Sequence, residues 1–171
     1  MRTVTFPARF MLVAAMNPCP CGHAGNPHRI CRCTPADIAR YRSRLSGPLR
    51  DRFDLTIEVH AVPVGELADH TDGESSASVR GRVLAARARQ AERHGAPVRT
   101  NASLGGRELQ RQCALDAGGR TLLERSTERL HLSARAFHRV LRVARTIADL
   151  AAAERVAVGH VAEALQYRLV D

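Results

Sequence analysis

Apolar positions follow two different rhythms along the 171 residues of the chain. "FMLVAAM", residues 10–16, is a continuous apolar run with almost no alternation. Such a run suits a strand covered on both faces, as in a parallel α/β sheet, and a short strand with a turn at Pro7 is expected before it. "DLTIEVHAV", residues 54–62, instead alternates Leu55, Ile57, Val59 and Ala61 against polar neighbours, the period of a half-buried strand. Between them, Thr34-Pro35-Ala36-Asp37 predicts a helix start, with Thr34 as cap, Pro35 in the first turn and Asp37 near the positive end. That helix is expected to reach about Leu45, where "SGPL" breaks it.

From about residue 65 the rhythm becomes helical. Ser75 to Glu92 predicts a long Arg-rich helix, "HGAPVRTNASLGG" a loop, and 106–114 and 118–130 two shorter helices. Between Ser133 and Ala153, the residues Phe137, Val140, Leu141, Ala144, Ile147 and Ala148 recur at offsets of three and four, one apolar stripe with Ser133 as cap. A last helix is expected over 158–169. The predicted fold class is therefore an α/β remnant followed by an all-α portion. Two or three strands and one helix cannot cover a parallel sheet on both faces, so the α/β piece is expected to be the tail of a larger domain beginning upstream of Met1.

Composition narrows the function. Apolar residues at 44% allow a core, and the net charge is +9. All 26 basic residues are Arg, and there is no Lys. Excess positive charge of this size points to nucleic acid or to nucleotide phosphates as partners. The missing Lys excludes a phosphate loop of the G-x-x-x-x-G-K-[ST] type within this chain, and no strand ends in paired acidic residues that could hold magnesium. No apolar run approaches a membrane span, and the seven-residue stretch after Arg9 is short for a secretory signal. A cytoplasmic protein with reduced thiols is expected, with no membrane partner.

In that setting the cysteines gain meaning. "NPCPCGHAGNPHRICRC", residues 17–33, has Cys19-x-Cys21 and Cys31-x-Cys33 separated by nine residues. Four thiolates around one tetrahedral zinc form a closed structural site, and Gly, Asn and Pro in the intervening loop favour the reversal it needs. The segment has almost nothing apolar to bury, so metal binding would itself supply the ordering energy. Free or redox thiols and disulfides are the alternatives; His23 and His28 are either substitute ligands or solvated loop residues. Cys113, on an apolar helix face, is expected to pack in a core.

Three polar positions stand out beside these. Asn17 directly follows the predicted buried strand, where open α/β sheets place functional side chains. Arg52 lies in "GPLRDRFDL" between Asp51 and Asp54, and by itself reads as a surface ion pair. Arg135 opens the long amphipathic helix, with Arg139 and Arg142 reading as solvated residues opposite its apolar stripe.

Taken in order, "FPARFMLVAAMNPCPCG", the Cys-Arg-Cys pair, "SGPLRDRFDL", "GESSASVR" and "LSARAFHRVLRVARTIADL" resemble the C-terminal half of the magnesium-chelatase-like AAA+ ATPases, in their competence-protein branch. The likeness spans nearly the whole chain, and the cysteine loop is particular to that branch.

The resemblance implies an α/β core part at 1–62 with a zinc loop at 17–34, a connecting helical segment at 63–95 and a helical lid at 96–171. It also implies that Asn17 matches sensor 1, Arg52 the arginine finger that reaches a neighbouring subunit's nucleotide, and Arg135 sensor 2, with Asn17 and Arg135 touching bound nucleotide. Arg50 is a rival for the finger. The implied activity is that of an ATP-driven DNA motor of the branch-migration helicase type, working as a hexameric homo-oligomer in transformation and recombination. ATP and magnesium would bind only in the complete protein, and this chain alone is expected not to hydrolyse ATP. A zinc-stabilised basic nucleic-acid-binding module without catalysis is the main alternative; a metal-chelatase-type ATPase subunit is the second.

Overall fold

A computed structural model describes residues 3–4, 10–62, 65 and 73–168 of the chain. They fall into two compact units, residues 1–47 and 48–171.

The first unit holds the cysteine loop and helix α1, Pro35–Arg42. Its start follows the sequence closely. The Thr34 hydroxyl accepts from the Asp37 N–H at 3.2 Å while the Asp37 carboxylate accepts from the Thr34 N–H at 3.1 Å, a reciprocal capping box. The helix stops at Ser43 rather than near Leu45.

The second unit is helical. It comprises all but the first residue of α2 (Gly47–Arg50), then α3 (Ser76–His94), a 3-10 turn (Asn101–Ser103), α4 (Gly106–Gln112), α5 (Ala117–Arg129), α6 (Ala134–Leu150) and α7 (Val158–Gln166). Helix α1 has ended before the "SGPL" segment, as expected, and Gly47, Pro48 and Leu49 of that segment open the separate single turn of α2. Ser75, Asp116 and Ser133 cap α3, α5 and α6, each side chain accepting an N–H from the first turn. Helix α6 packs against α3, α4 and α7, and α5 packs against α7, around a core of Leu104, Leu109, Cys113, Leu123, Val140, Leu141, Ala144, Ala148, Val156, Val161, Ala164 and Leu165. Phe137 and Ile147 of the expected stripe pack partly buried against that core, and Cys113 is within it.

The strands expected at 10–16 and 54–62 are absent among the described residues, where the only β pairing is a single bridge between Leu115 and Val156. A strand is stabilised by a neighbour that takes its N–H and C=O groups along its length, and among the described residues neither segment has such a neighbouring strand. Phe10, Val13 and Val59 are correspondingly more than three-quarters exposed. The α/β remnant is thus not formed as a sheet in this structure. The turn at Pro7, part of the connecting segment (63, 64 and 66–72) and the end of the last helix at Leu169 lie outside the described residues. No helix among the described residues is long and apolar enough to cross a membrane.

Sequence periodicity missed the polar side of the core. Arg145 and Asp149, on the apolar face of α6, are 2% and 0% exposed. The Asp149 carboxylate accepts from Arg145 Nε at 3.1 Å, from Asn101 Nδ2 at 2.8 Å, and from both terminal nitrogens of Arg93 on α3. Arg145 also donates to the carbonyls of Ala153 and Glu154, at 2.6 and 2.7 Å. This clasps the turn after α6, where Ala152 takes a left-handed φ of 56°. Burial pulls Arg145 below the usual guanidinium range, an effect that Asp149 opposes.

Candidate functional site

The four loop cysteines converge. Their Sγ atoms all lie within 4.8 Å of one another, with Cys19–Cys21 at 3.4 Å, Cys21–Cys31 at 3.6 Å and Cys19–Cys31 at 3.7 Å. A tetrahedron of thiolates at a Zn–S distance of about 2.3 Å has edges of about 3.8 Å, so the spacing fits a metal centre. Disulfide sulfurs would stand about 2 Å apart, and the four thiols are free. The cluster among the described residues contains neither His23 nor His28.

Local backbone builds the cluster. The Gly22 N–H donates to the Cys19 carbonyl at 3.0 Å, and the Ala24 N–H points at the Cys19 sulfur at 3.3 Å. Gly22 takes φ 78°, which closes the knuckle and which a side chain would oppose. On the far side the Asn26 carboxamide oxygen accepts from His28 and Arg29 N–H groups at 2.8 and 3.0 Å, turning the chain back toward Cys31. The thiols differ sharply. Backbone N–H groups of Arg32 and His23 pull Cys21 down to about 6. At Cys33 the Cys21 backbone works in the same lowering sense, but desolvation and the neighbouring thiols prevail and push it up to about 12. Thiolates so crowded resist ionising together, and a divalent cation removes that conflict. The four thiols could therefore hold a metal ion.

Asn17 stands exposed two residues before the first ligand, with its amide 3.9 Å from where a Cβ on Gly22 would lie. It belongs to the first unit; Arg52 and Arg135 belong to the second.

Arg52 is exposed and is not paired with the carboxylates beside it. Its Nη1 donates to the Pro48 carbonyl at 2.9 Å, across the end of α2. The carboxylates face arginines of α6 and of the turn after α7: Asp51 lies 3.8 Å from Arg168 and Asp54 lies 3.7 Å from Arg139. Arg168 Nη1 also donates to the Phe53 carbonyl at 2.9 Å, and the Thr56 N–H donates to the Tyr167 carbonyl at 3.0 Å. The expected Arg52 surface pair is thus replaced by a docked segment whose own arginine is left outward. Arg168, 115 residues from its acceptor at Phe53, carries no sequence signal for this role.

Arg135 is exposed in the first turn of α6. One turn on, Arg139 is not the solvated residue the helical pattern suggested, for its side chain is only 12% exposed. Burial pulls it below the usual guanidinium range; Asp54 opposes that shift, while Arg168, Arg142 and Arg135 add to it. Arg142 likewise turns inward and donates from Nε to the Leu104 carbonyl at 2.8 Å. The arrangement is an arginine-rich surface on which Arg52 and Arg135 remain available and Arg139, Arg142 and Arg168 are committed to the fold.

Comparison with known proteins gives consistent matches. The family description "Magnesium chelatase, subunit ChlI C-terminal" fits residues 73–168, and "Magnesium chelatase, subunit ChlI" fits residues 1–67. The chain is 49% identical over 166 residues to the competence protein ComM of Haemophilus influenzae, covering 96% of this chain and 32% of ComM. It is 48% identical over 169 residues to YifB of Salmonella typhimurium, covering 98% of this chain and 32% of that protein. A Mycobacterium bovis protein, Mb2921c, is 42% identical over 166 residues, 95% of this chain and 32% of its own length. The chain spans about a third of the length of these relatives.

Proposed function

Since the chain belongs to the magnesium chelatase family, through the ChlI C-terminal domain, we propose that it supplies the sensor, arginine-finger and lid portion of an AAA+ ATPase acting as a DNA motor. In this reading residues 1–62 complete the α/β core, 63–95 connect, and 96–171 form the lid. Residues 10–16 and 54–62 become strands where the remainder of the sheet gives them partners. The similarity to a competence protein, ComM, favours DNA as the substrate of the motor, and the net charge of +9 agrees with it.

The observation that carries the proposal is the state of Arg52. An arginine set between two carboxylates would ordinarily be neutralised by them, yet here both face other arginines and Arg52 points outward on an anchored segment. A preorganised, solvent-facing guanidinium is what a finger for a neighbouring subunit's phosphates requires. Phosphoryl transfer needs little covalent help and much charge stabilisation, and such a finger is worth about 10³ to 10⁵ in rate. Arg135, in Ser-Ala-Arg at the start of α6, acts as sensor 2 on the subunit's own nucleotide, and Asn17 as sensor 1 orients the attacking water. Supplying the finger in trans makes hydrolysis depend on ring assembly. ATP and magnesium are held by motifs outside this chain, which by itself neither hydrolyses nor retains nucleotide.

The four-cysteine centre holds structural zinc. Cys19, Cys21, Cys31 and Cys33 are its ligands, and their sulfur spacing supports the assignment.

The test is Arg52→Ala in a full-length protein containing this chain. ATP hydrolysis is expected to fall at least about 10³-fold with ring size unchanged by light scattering. Retained hydrolysis in intact rings refutes the finger. Tight DNA binding by the 171-residue chain without nucleotide, steeply weakened by salt, would favour the basic binding module instead.

A further inference from the structure

The contacts around Arg52 do more than leave it free. Four connections run from its segment to α6 and the turn after α7, and they are of two kinds. Two are made in full: Arg168 Nη1 to the Phe53 carbonyl at 2.9 Å and the Thr56 N–H to the Tyr167 carbonyl at 3.0 Å. The other two are open. Arg139 Nε stands 3.7 Å from Asp54 and Arg168 Nη2 stands 3.8 Å from Asp51, both beyond ordinary hydrogen-bond reach of about 3.2 Å. Arg139 Nε and Nη1 are buried and have no hydrogen-bond partner among the described residues. A buried donor without an acceptor is costly, and closing the Asp54–Arg139 gap by about 1 Å would give Nε its acceptor. Arg139 lies one turn from Arg135 on α6.

We propose that Asp51 and Asp54 are positioning residues: drawn toward Arg168 and Arg139 across these open contacts, they couple the Arg52 segment to the helix carrying Arg135. Phosphate drawn to Arg135 of one subunit moves α6, and the carboxylate clasp passes that movement to Arg52, which faces the next subunit. The clasp gives consecutive sites in a ring a physical link within each chain. The inference rests on the proposed roles of Arg52 and Arg135.

Two experiments separate its failure from theirs. In the 171-residue chain, amide hydrogen exchange at Arg52, Phe53 and Thr56 is measured for wild type, Asp54→Asn, Arg139→Gln and the double variant. Each single change is expected to speed exchange at these amides roughly threefold to tenfold, leave the core amides of α6 unchanged, and add nothing when combined. Unchanged exchange, or additive effects, overturns the clasp whatever Arg52 does. In the full-length protein, Asp54→Asn and Arg139→Gln are expected to lower the Hill coefficient for ATP toward 1 while kcat falls far less than in Arg52→Ala. If Arg52→Ala abolishes hydrolysis but Asp54→Asn leaves the Hill coefficient intact, the coupling fails and the finger stands. If Arg52→Ala hydrolyses normally, the finger fails, and the link between the two sites with it.

Discussion

Replacing Asp149 by Ala is expected to cost the helical unit about 3–5 kcal/mol of stability, the range for breaking a buried ion pair from one side. The reason is what remains after the change. Arg145 is 2% exposed and would keep its charge with only the Ala153 and Glu154 carbonyls as acceptors. Arg93 would lose both of its bonds to the carboxylate, and Asn101 Nδ2 would keep only the Thr146 hydroxyl at 3.0 Å. Against a typical domain stability of about 5–15 kcal/mol, this is a large fraction. For a unit of this size it corresponds to a melting temperature lower by about 10 °C or more. The assay is urea unfolding followed by helical circular dichroism, with thermal melts alongside. Asp149→Asn, which keeps an oxygen acceptor but not the charge, is expected to fall between wild type and Ala. Arg145→Met/Asp149→Leu is expected to recover part of the loss, because it strands no fully buried charge, while Arg93, 23% exposed, still loses its carboxylate. An Asp149→Ala protein within about 1 kcal/mol of wild type would refute the reasoning, since it would mean Arg145 finds water or another anion on its own.

Other outcomes follow from single features. A strong chelator applied to zinc-loaded protein should expose the thiols of Cys19, Cys21, Cys31 and Cys33 to a maleimide reagent, read by mass spectrometry, while Cys113 stays unlabelled until unfolding. Burial pushes the Cys113 thiol up to about 11, so the folded state holds that proton where the unfolded chain releases it. Its contribution to stability is full below the ordinary thiol value of about 8.5 and is lost as pH rises from there to about 11, a dependence that Cys113→Ala should remove in unfolding titrations. Gly119→Ala should destabilise by about 1–3 kcal/mol, because the new Cβ would sit 2.9 Å from the Asp116 carboxylate that caps α5 and 3.4 Å from Val161; a neutral effect in a thermal melt would show that the cap can shift without loss.

The sequence by itself determined what depends on near neighbours. The caps at Thr34 and Ser133 and the amphipathic stripe of α6 were legible. The cysteine cluster was too, because two pairs of thiols nine residues apart need only one loop reversal to meet. Arg52 and Arg135 were legible only through resemblance, since an arginine on a helix or beside a carboxylate looks the same whether it works or merely solvates. Tertiary structure decided the rest. It turned Asp51 and Asp54 away from Arg52 toward Arg168 and Arg139, and put Arg145 and Asp149 on the buried side of α6 where helical spacing alone suggested apolar packing. It also left residues 10–16 and 54–62 without a sheet, although their patterns are those of strands. The physical division is one of range: caps and helical stripes are satisfied within a few residues, whereas strands and buried charges have no stable form until a distant segment supplies their partner.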